Sequence, residues 1–304
     1  MHKFYSHGKL LITGEYVVLD GATALALPAR LGQSLEVKKI EKQGIEWTSY
    51  NHEGEIWFEA RISSEEILGS EQHEVKNEVR KRLVSLLREA AKKNPEKLSS
   101  KHGFEIITRT EFPLDWGLGS SSSLVANIAA WFEIDAYELQ EKIFGGSGYD
   151  IAVALENSPV TYELTKSGRS VLTTSFDPPF SDQLFFVHLN RKQNSRESID
   201  HYRKQPGEDI SAAVEKISML THQVITCTSL TEFELLIEIH ETIISKLVNL
   251  PKIKSALFPD FKGAIKSLGG WGGDFILATG GEDEKNYFRE KGYKTILSYS
   301  EMIF

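Results

Sequence analysis

Residues Trp116-Gly117-Leu118-Gly119-Ser120-Ser121-Ser122-Ser123 run without a break into the apolar stretch Leu124–Ala130, and this junction constrains the chain more than any other. Two glycines free the backbone, and four serines supply hydroxyls. The apolar residues that follow favour a helix ending near Phe132. The first N–H groups of a helix have no partner within it, and the helix dipole adds positive charge at that end. A glycine loop placed there makes a cradle for an anion, most often a phosphate. The serine hydroxyls can also bind phosphate oxygens or a hard cation such as Mg2+. Read alone, the same residues equally describe a Gly/Ser turn with a serine N-cap.

The rest of the sequence limits what such a cradle can serve. A length of 304 residues suits two ordinary domains or one large one, and 40% hydrophobic residues are enough to bury a real core. A net charge of -8 argues against partners such as nucleic acid or an anionic membrane surface, while leaving room for a local basic pocket. The single cysteine, Cys227, excludes a disulfide framework and fits a reducing compartment. It reads as a small buried apolar residue, because no His/Asn pattern marks it as a nucleophile. Residues 1–9 lack an apolar signal region, and no run approaches transmembrane length, so the expected location is cytoplasmic.

The patterning alternates strands and helices without regular repetition. Residues 4–62 read as strands, among them Leu10–Thr13, Tyr16–Leu19, Leu35–Ile40 and Ile56–Ala60, with turns at Asp20-Gly21 and Asn51–Gly54. Val75–Lys93 has helical period, with Val79, Leu83, Leu86, Leu87 and Ala90 on one face. Phe104–Thr108 is a strand, and a helix over Ala136–Phe144 leads into Gly145-Gly146-Ser147-Gly148-Tyr149-Asp150. Strands resume at Val160–Glu163 and Val171–Thr174. After Asp177–Ser181 come a strand at Leu184–Leu189 and helices near Ile210–Cys227, Thr231–Leu250 and Ile253–Phe258. A strand pair at Phe275–Ala278 and Lys294–Leu297 closes the chain. The class is α+β, with two domains expected at 1–178 and 179–304.

Three further segments carry chemistry. In Gly8-Lys9-Leu10-Leu11-Ile12-Thr13-Gly14-Glu15-Tyr16, a lysine flanked by glycines can place a point charge on phosphates, with Glu15 holding it. Taken singly, Lys9 is a surface lysine at a strand end. In Ser147-Gly148-Tyr149-Asp150, the carboxylate can accept a proton from a substrate hydroxyl. Taken singly, the segment is a helix C-cap and a turn aspartate. In Gly269-Gly270-Trp271-Gly272-Gly273-Asp274, four glycines in five residues call for close approach of a loop or ligand. A basic cluster, Arg191 to Arg196, follows the strand ending at Leu189. Lys192 and Arg196 can grip a carboxylate or phosphate, with Ser195 capping the next helix, or the cluster is a solvated turn.

Taken together, in this order, these segments resemble the GHMP kinases, and the run Gly148-Tyr149-Asp150-Ile151-Ala152 is similar to the one that names their GYDIA subgroup. The resemblance covers nearly the whole chain. It implies a fold with an N-terminal domain like the second domain of ribosomal protein S5 and a ferredoxin-like C-terminal domain. It implies ATP and Mg2+ as cofactors. Lys9 and Asp150 would be the catalytic pair. Gly117, Leu118, Gly119, Ser120, Ser121 and Ser122 would hold the nucleotide phosphates. Ser121 and Glu141 would be Mg2+ ligands, with Glu138 competing for the second place. Glu15, Tyr16, Ser147, Gly148, Lys192, Arg196, Gly270 and Gly272 would face the substrate. The partner would be a small molecule, and a homodimer is an open option.

Within that resemblance the expected reaction is phosphoryl transfer to a hydroxyl or a phosphate, in the mevalonate branch. A Gly-Glu-Tyr sequence is more like phosphomevalonate kinases, whereas mevalonate kinases commonly have histidine at position 16. The galactokinase form of the first motif is absent, which lowers a sugar or sugar-phosphate kinase to second place. Asp115 and Trp116 stand where small residues are usual, and Trp271 and Asp274 interrupt the last glycine motif. These departures favour a third reading, a catalytically weak homologue that senses a ligand. Diphosphomevalonate decarboxylase shares the fold.

Overall fold

A computed structural model describes residues 1–69, 77–98, 102–193, 195–205 and 210–304, with the Ser195 side chain left aside. The chain opens with strand β1 (His2–Thr13), a 3-10 turn (Val17–Asp20) and the long strand β2 (Ala24–Ile40). Strands β3 (Ile45–Tyr50) and β4 (Ile56–Ile62) form a hairpin, followed by helices α1 (Ser64–Leu68) and α2 (Glu78–Lys93) and strand β5 (Gly103–Thr110). Helices α3 (Ser120–Phe132), α4 (Ala136–Ile143) and α5 (Tyr149–Glu156) lead to the hairpin of β6 (Val160–Thr165) and β7 (Gly168–Thr173). Then come β8 (Leu184–His188) and helices α6 (Ser195–Arg203), α7 (Ile210–Thr226), α8 (Leu230–Val248) and α9 (Ile253–Leu257). The chain ends with β9 (Ile265–Ser267), β10 (Phe275–Thr279), α10 (Glu282–Glu290), β11 (Ile296–Ser298) and α11 (Tyr299–Met302). No helix among the described residues is long and apolar enough to cross a membrane.

These elements gather into two compact units, neither of which is one continuous stretch. The first holds residues 1–8, 31–114 and 119–157; the second holds 9–30, 115–118 and 158–304. Residue 178, the expected boundary, lies within the second unit.

In the first unit the sheet runs β4-β3-β5 and on to residues 33–40 of β2. The β3–β5 pair is parallel, with Ile45 opposite Phe104, and its neighbours are antiparallel. Strand β3 alternates buried and half-buried residues, so Ile45 and Trp47 face one side. That side packs on α2, whose Leu83, Leu86, Leu87 and Ala90 recur at helical spacing, and on Trp131 and Phe132 of α3. Asn77 caps α2 by accepting from the N–H groups of Val79 and Arg80, and Lys92 and Lys93 sit favourably in its last turn. Val79, expected on the apolar face, is 42% exposed, because the helix starts at Glu78 and its first turn lies beyond the core. Residues 75 and 76 of the expected helix lie outside the described residues.

In the second unit a four-stranded antiparallel sheet runs β11-β8-β10-β9. The order of elements, β8, helices, β9, β10, α10, β11, is that of a ferredoxin-like unit. Residues 24–26 of β2 pair with β6, and β6 pairs with β7. The core holds Phe185, Phe186, Phe233, Phe275 and Phe288, all essentially buried. Cys227 is buried just past α7, and its thiol donates to the Ser229 carbonyl at 3.1 Å.

Two expectations are corrected here. The closing strands do not pair with each other: β10 and β11 flank β8, with Ile276 and Ile296 both opposite Val187. Tyr16–Leu19 is not a strand. Gly14 at φ +91° and Tyr16 at φ +65° turn the chain, and a 3-10 turn buries Val17 and Val18. Strand propensity yields there to burial.

Candidate active site

The first unit presents the serine junction. Gly119 has φ +86°, a left-handed conformation that a glycine adopts without strain, and α3 starts directly after it. No side chain caps the N-terminus of α3. The four serines divide two and two. Ser122 and Ser123 are buried: the Ser122 hydroxyl donates to the Gly119 carbonyl at 2.9 Å, and the Ser123 hydroxyl to Gln33 Oε1 at 2.8 Å. Ser120 is half-buried and Ser121 exposed. The Ser122 hydroxyl is therefore spent inside the loop, leaving its backbone N–H for an anion. Asn127, one helical turn on, donates to the Gln33 carbonyl at 2.9 Å and accepts from Ser6 at 2.9 Å, which fixes α3 within the unit. Sequence reasoning missed Gln33 and Asn127. A buried Asn in an apolar helical run was the available signal.

Helices α4 and α5 belong to the same unit, and α5 packs on α3. Gly148, buried with φ +88°, starts α5, and again no side chain caps it. Asp150 is the second residue of α5. It is half-buried, and its Oδ1 accepts from the Ile151 N–H at 3.1 Å. Ser147 is half-buried just before Gly148. Gly145 and Gly146 have positive φ and open space where a Cβ would stand. Glu141 is exposed on α4, whereas its competitor Glu138 is paired with Lys93. Among the described residues no three or more His, Cys, Asp or Glu side chains gather to hold a metal ion.

The second unit holds Lys9, Gly117 and Leu118, so the unit boundary passes within the motif, between Leu118 and Gly119. The Lys9 N–H donates to the Leu118 carbonyl at 2.8 Å, and its ammonium to the Gly117 carbonyl at 3.1 Å. Glu15, expected to hold Lys9, is 3% exposed and pairs instead with Lys266, Nζ to Oε1 at 2.5 Å. Lys266 also reaches Glu241 at 3.1 Å. His240 Nε2 lies 3.3 Å from Glu15 Oε2 and accepts from the Gly14 N–H at 3.0 Å. All four side chains are essentially buried. Burial pushes the Glu15 carboxyl up to about 7, against the pull of Lys266. Burial also raises Glu241 and holds His240 well below its ordinary value. Glu15 thus holds Lys266 and not Lys9. Sequence reasoning missed Lys266, because the stretch Ile265-Lys266-Ser267-Leu268 gives no local sign that its lysine is buried between carboxylates.

Tyr16 keeps its positive φ because its hydroxyl is held: it accepts the Trp271 N–H at 2.9 Å and bonds Ser198, while its ring lies 5.4 Å from that of Tyr202. Burial raises its hydroxyl above the ordinary tyrosine value. The Gly269–Gly273 loop is occupied by the protein's own side chains. A Cβ at Gly270 would stand 2.6 Å from Gln193 Cβ, and one at Gly273 would stand 2.2 Å from Gln193 Cγ. Gly272 lies beside Ile253. Trp271 donates its ring N–H to the Pro251 carbonyl at 2.9 Å, and Trp116 packs edge-on against Phe275 with centroids 5.2 Å apart. Both tryptophans are packing residues. Lys192 and Arg196 are exposed, before and at the start of α6. The capping expected of Ser195 lies outside the described side chains.

No protein-family model and no curated protein matches the sequence. Solved structures match the fold along nearly its whole length. Phosphomevalonate kinase of Streptococcus pneumoniae, in complex with phosphomevalonate and AMPPNP, superposes with a TM-score of 0.73 at 15% identity, covering 98% of this chain and 100% of that one. Mevalonate kinase of Methanococcus jannaschii gives 0.71 at 17%, covering 97% and 96%. Galactokinase of Lactococcus lactis, complexed with galactose, gives 0.67 at 12%, covering 99% and 93%. The feature these relatives share with the chain, across both of its units, is architecture, and on that ground the chain has the GHMP kinase fold.

Proposed function

We propose that the chain is an ATP-dependent small-molecule kinase that transfers the γ-phosphoryl group to mevalonate or phosphomevalonate. The observation that carries this reading is the start of α3: a left-handed glycine at the N-cap, no side-chain cap, a half-buried Ser120 and an exposed Ser121, on a fold shared with kinases. The N–H donors of such a helix start fit a nucleotide phosphate, since they supply a partial positive charge and need an acceptor. Ser121 and Glu141 offer the hard oxygens that Mg2+ prefers, with the nucleotide's own phosphates completing its shell. Bound there, the metal would neutralise phosphate charge.

The chain's own residues have the remaining work. The N–H groups of Ser120, Ser121 and Ser122 orient the phosphates. Asp150, at the first turn of α5, accepts the proton of an acceptor hydroxyl. The resemblance gives Lys9 the part of a cation toward the phosphates. Phosphoryl transfer depends on such positioning and charge neutralisation more than on covalent help.

A second reading is supported by the likeness to galactokinase and to a heptose 1-phosphate kinase: a sugar or sugar-phosphate kinase. ADP release from Mg·ATP, measured against mevalonate, phosphomevalonate, galactose and sugar phosphates, separates the two. Turnover with either of the first two is expected. Turnover confined to sugars would replace the leading reading with the second. ATP binding with no turnover would favour a ligand sensor.

A further inference from the structure

Asp274 stands at the end of the last glycine run, directly before β10, and is 4% exposed. Its φ is +52°, a left-handed conformation that aspartate tolerates better than most residues. Its own backbone is tied on both sides, N–H to the Arg191 carbonyl at 2.7 Å and carbonyl to the Leu189 N–H at 2.8 Å. That bend places the carboxylate among backbone donors. Oδ1 accepts from the Gln193 N–H at 3.2 Å, and the Gly270 N–H bonds the same carboxylate. The groups of opposite or titratable charge that face it are Lys9 and His188.

Two glycines beside it, Gly117 at φ +67° and Gly269 at φ +73°, are required by backbone conformation and also by the space the carboxylate takes. A Cβ at Gly117 would stand 2.4 Å from Asp274 Cγ, and one at Gly269 would stand 2.6 Å from Oδ2. The carboxylate therefore fills the space between the two glycine segments. Backbone N–H groups from a glycine-rich turn, with a lysine alongside, are the ingredients of an anion-binding nest. In most such nests the anion is a ligand.

We propose that Asp274 is a resident anion: its carboxylate occupies the anion position made by the Gly270 and Gln193 N–H groups and Lys9, and it keeps the Lys9–Gly117 contact in place. The nest at Gly269–Gly273 then recognises no substrate carboxylate or phosphate, and Gly270 is a packing glycine. Asp274 is a positioning residue acting through Lys9, and only this catalytic consequence rests on the kinase reading.

The test is replacement of the carboxylate from solution. Asp274→Ala leaves a gap the size of a carboxylate. Its melting temperature is followed in formate, in formamide, and in chloride at matched ionic strength. Formate is expected to raise it, and neither neutral formamide nor chloride to do so, while wild type responds to none of the three. Equal responses to formate and formamide, or no response in folded protein, would overturn the proposal. Where Asp274→Ala does not fold, Asp274→Ser retains most of the gap for the same titration. Asp274→Asn, which fills the space without charge, is expected to fold and to lose about tenfold in kcat with whichever acceptor the ADP-release assay selects. Wild-type kcat in that variant would refute the positioning role. The melting arm reads the anion position whether or not the chain is a kinase, so loss of the kinase reading and loss of this one are separable.

Discussion

At Gly119 the chain enters α3 without a side-chain cap among the described residues, whereas at Gly269–Gly273 the chain's own Asp274, Gln193 and Tyr16 reach in. Both stretches are glycine-rich, and both precede an apolar element. Glycine content alone therefore does not mark a ligand site. The difference lies in the next side chains. After Gly119 come serines, two of which turn inward and leave the helix end open. After Gly273 comes an aspartate that satisfies backbone donors itself. A loop whose donors are spent internally is a structural joint. A loop whose donors are left over is a place for something else.

The joint has a buried foundation, and its removal should have the largest effect. Lys266→Met leaves Glu15 and Glu241 together without their cation, and the expected loss is about 3–5 kcal/mol in urea unfolding. A change under about 1 kcal/mol would mean that the ion cluster does not support the filled loop. The glycines give a direct contrast. Gly269→Ala and Gly145→Ala both place a side chain at positive φ, worth about 1–2 kcal/mol. Only at Gly269 does the new Cβ also meet Asp274, adding about 1–3 kcal/mol. Equal costs at the two positions would erase the distinction between filled and open loops.

On the open side, Asp150→Asn should lower turnover by about a hundredfold or more at an unchanged melting temperature. Near wild-type kcat would remove Asp150 from the reaction. The smallest effect is a slope. Glu15 keeps its proton up to about pH 7 in the folded state, while an unfolded glutamate releases it near about 4.3. The folded state binds more protons across that window, so the Glu15 contribution is present at low pH and lost as pH rises through about 7. Measured against wild type, Glu15→Gln should gain up to about 1 kcal/mol per pH unit between about pH 5 and 7. The opposite slope would mean that Lys266 outweighs burial at Glu15.

Much of this was legible in the chain as written. The apolar spacing in α2, the end of α3 at Phe132 and the strands at Phe104 and Leu184 follow from local pattern, because periodicity acts over a few residues. Helix α3, however, starts earlier than its apolar run, at Ser120 with Gly119 as its N-cap. Long-range partners are not written locally. Glu15 was paired by proximity in sequence with Lys9, yet its cation lies 251 residues away in Lys266. Asp274 interrupted a motif on paper, and only the approach of Gly117 shows what it does there. The turn at Tyr16 read as strand for the same reason, since the hydroxyl contact that holds it comes from Trp271.

The interleaving of the two units has a consequence for synthesis. By Asn157 every residue of the first unit has been made. The second unit holds residues 9–30, yet Thr13 must wait for Thr221, and Glu15 for Lys266. At ordinary ribosomal speeds of about 5–20 residues per second, residues 158–304 take roughly seven to thirty seconds to appear. Through that interval the apolar Leu10, Leu11, Ile12 and Leu25, all buried in the finished protein, have no completed unit to enter. Residues 10–25 of the newborn chain are thus open to self-association and to chaperone capture until the far part of their own unit has been made.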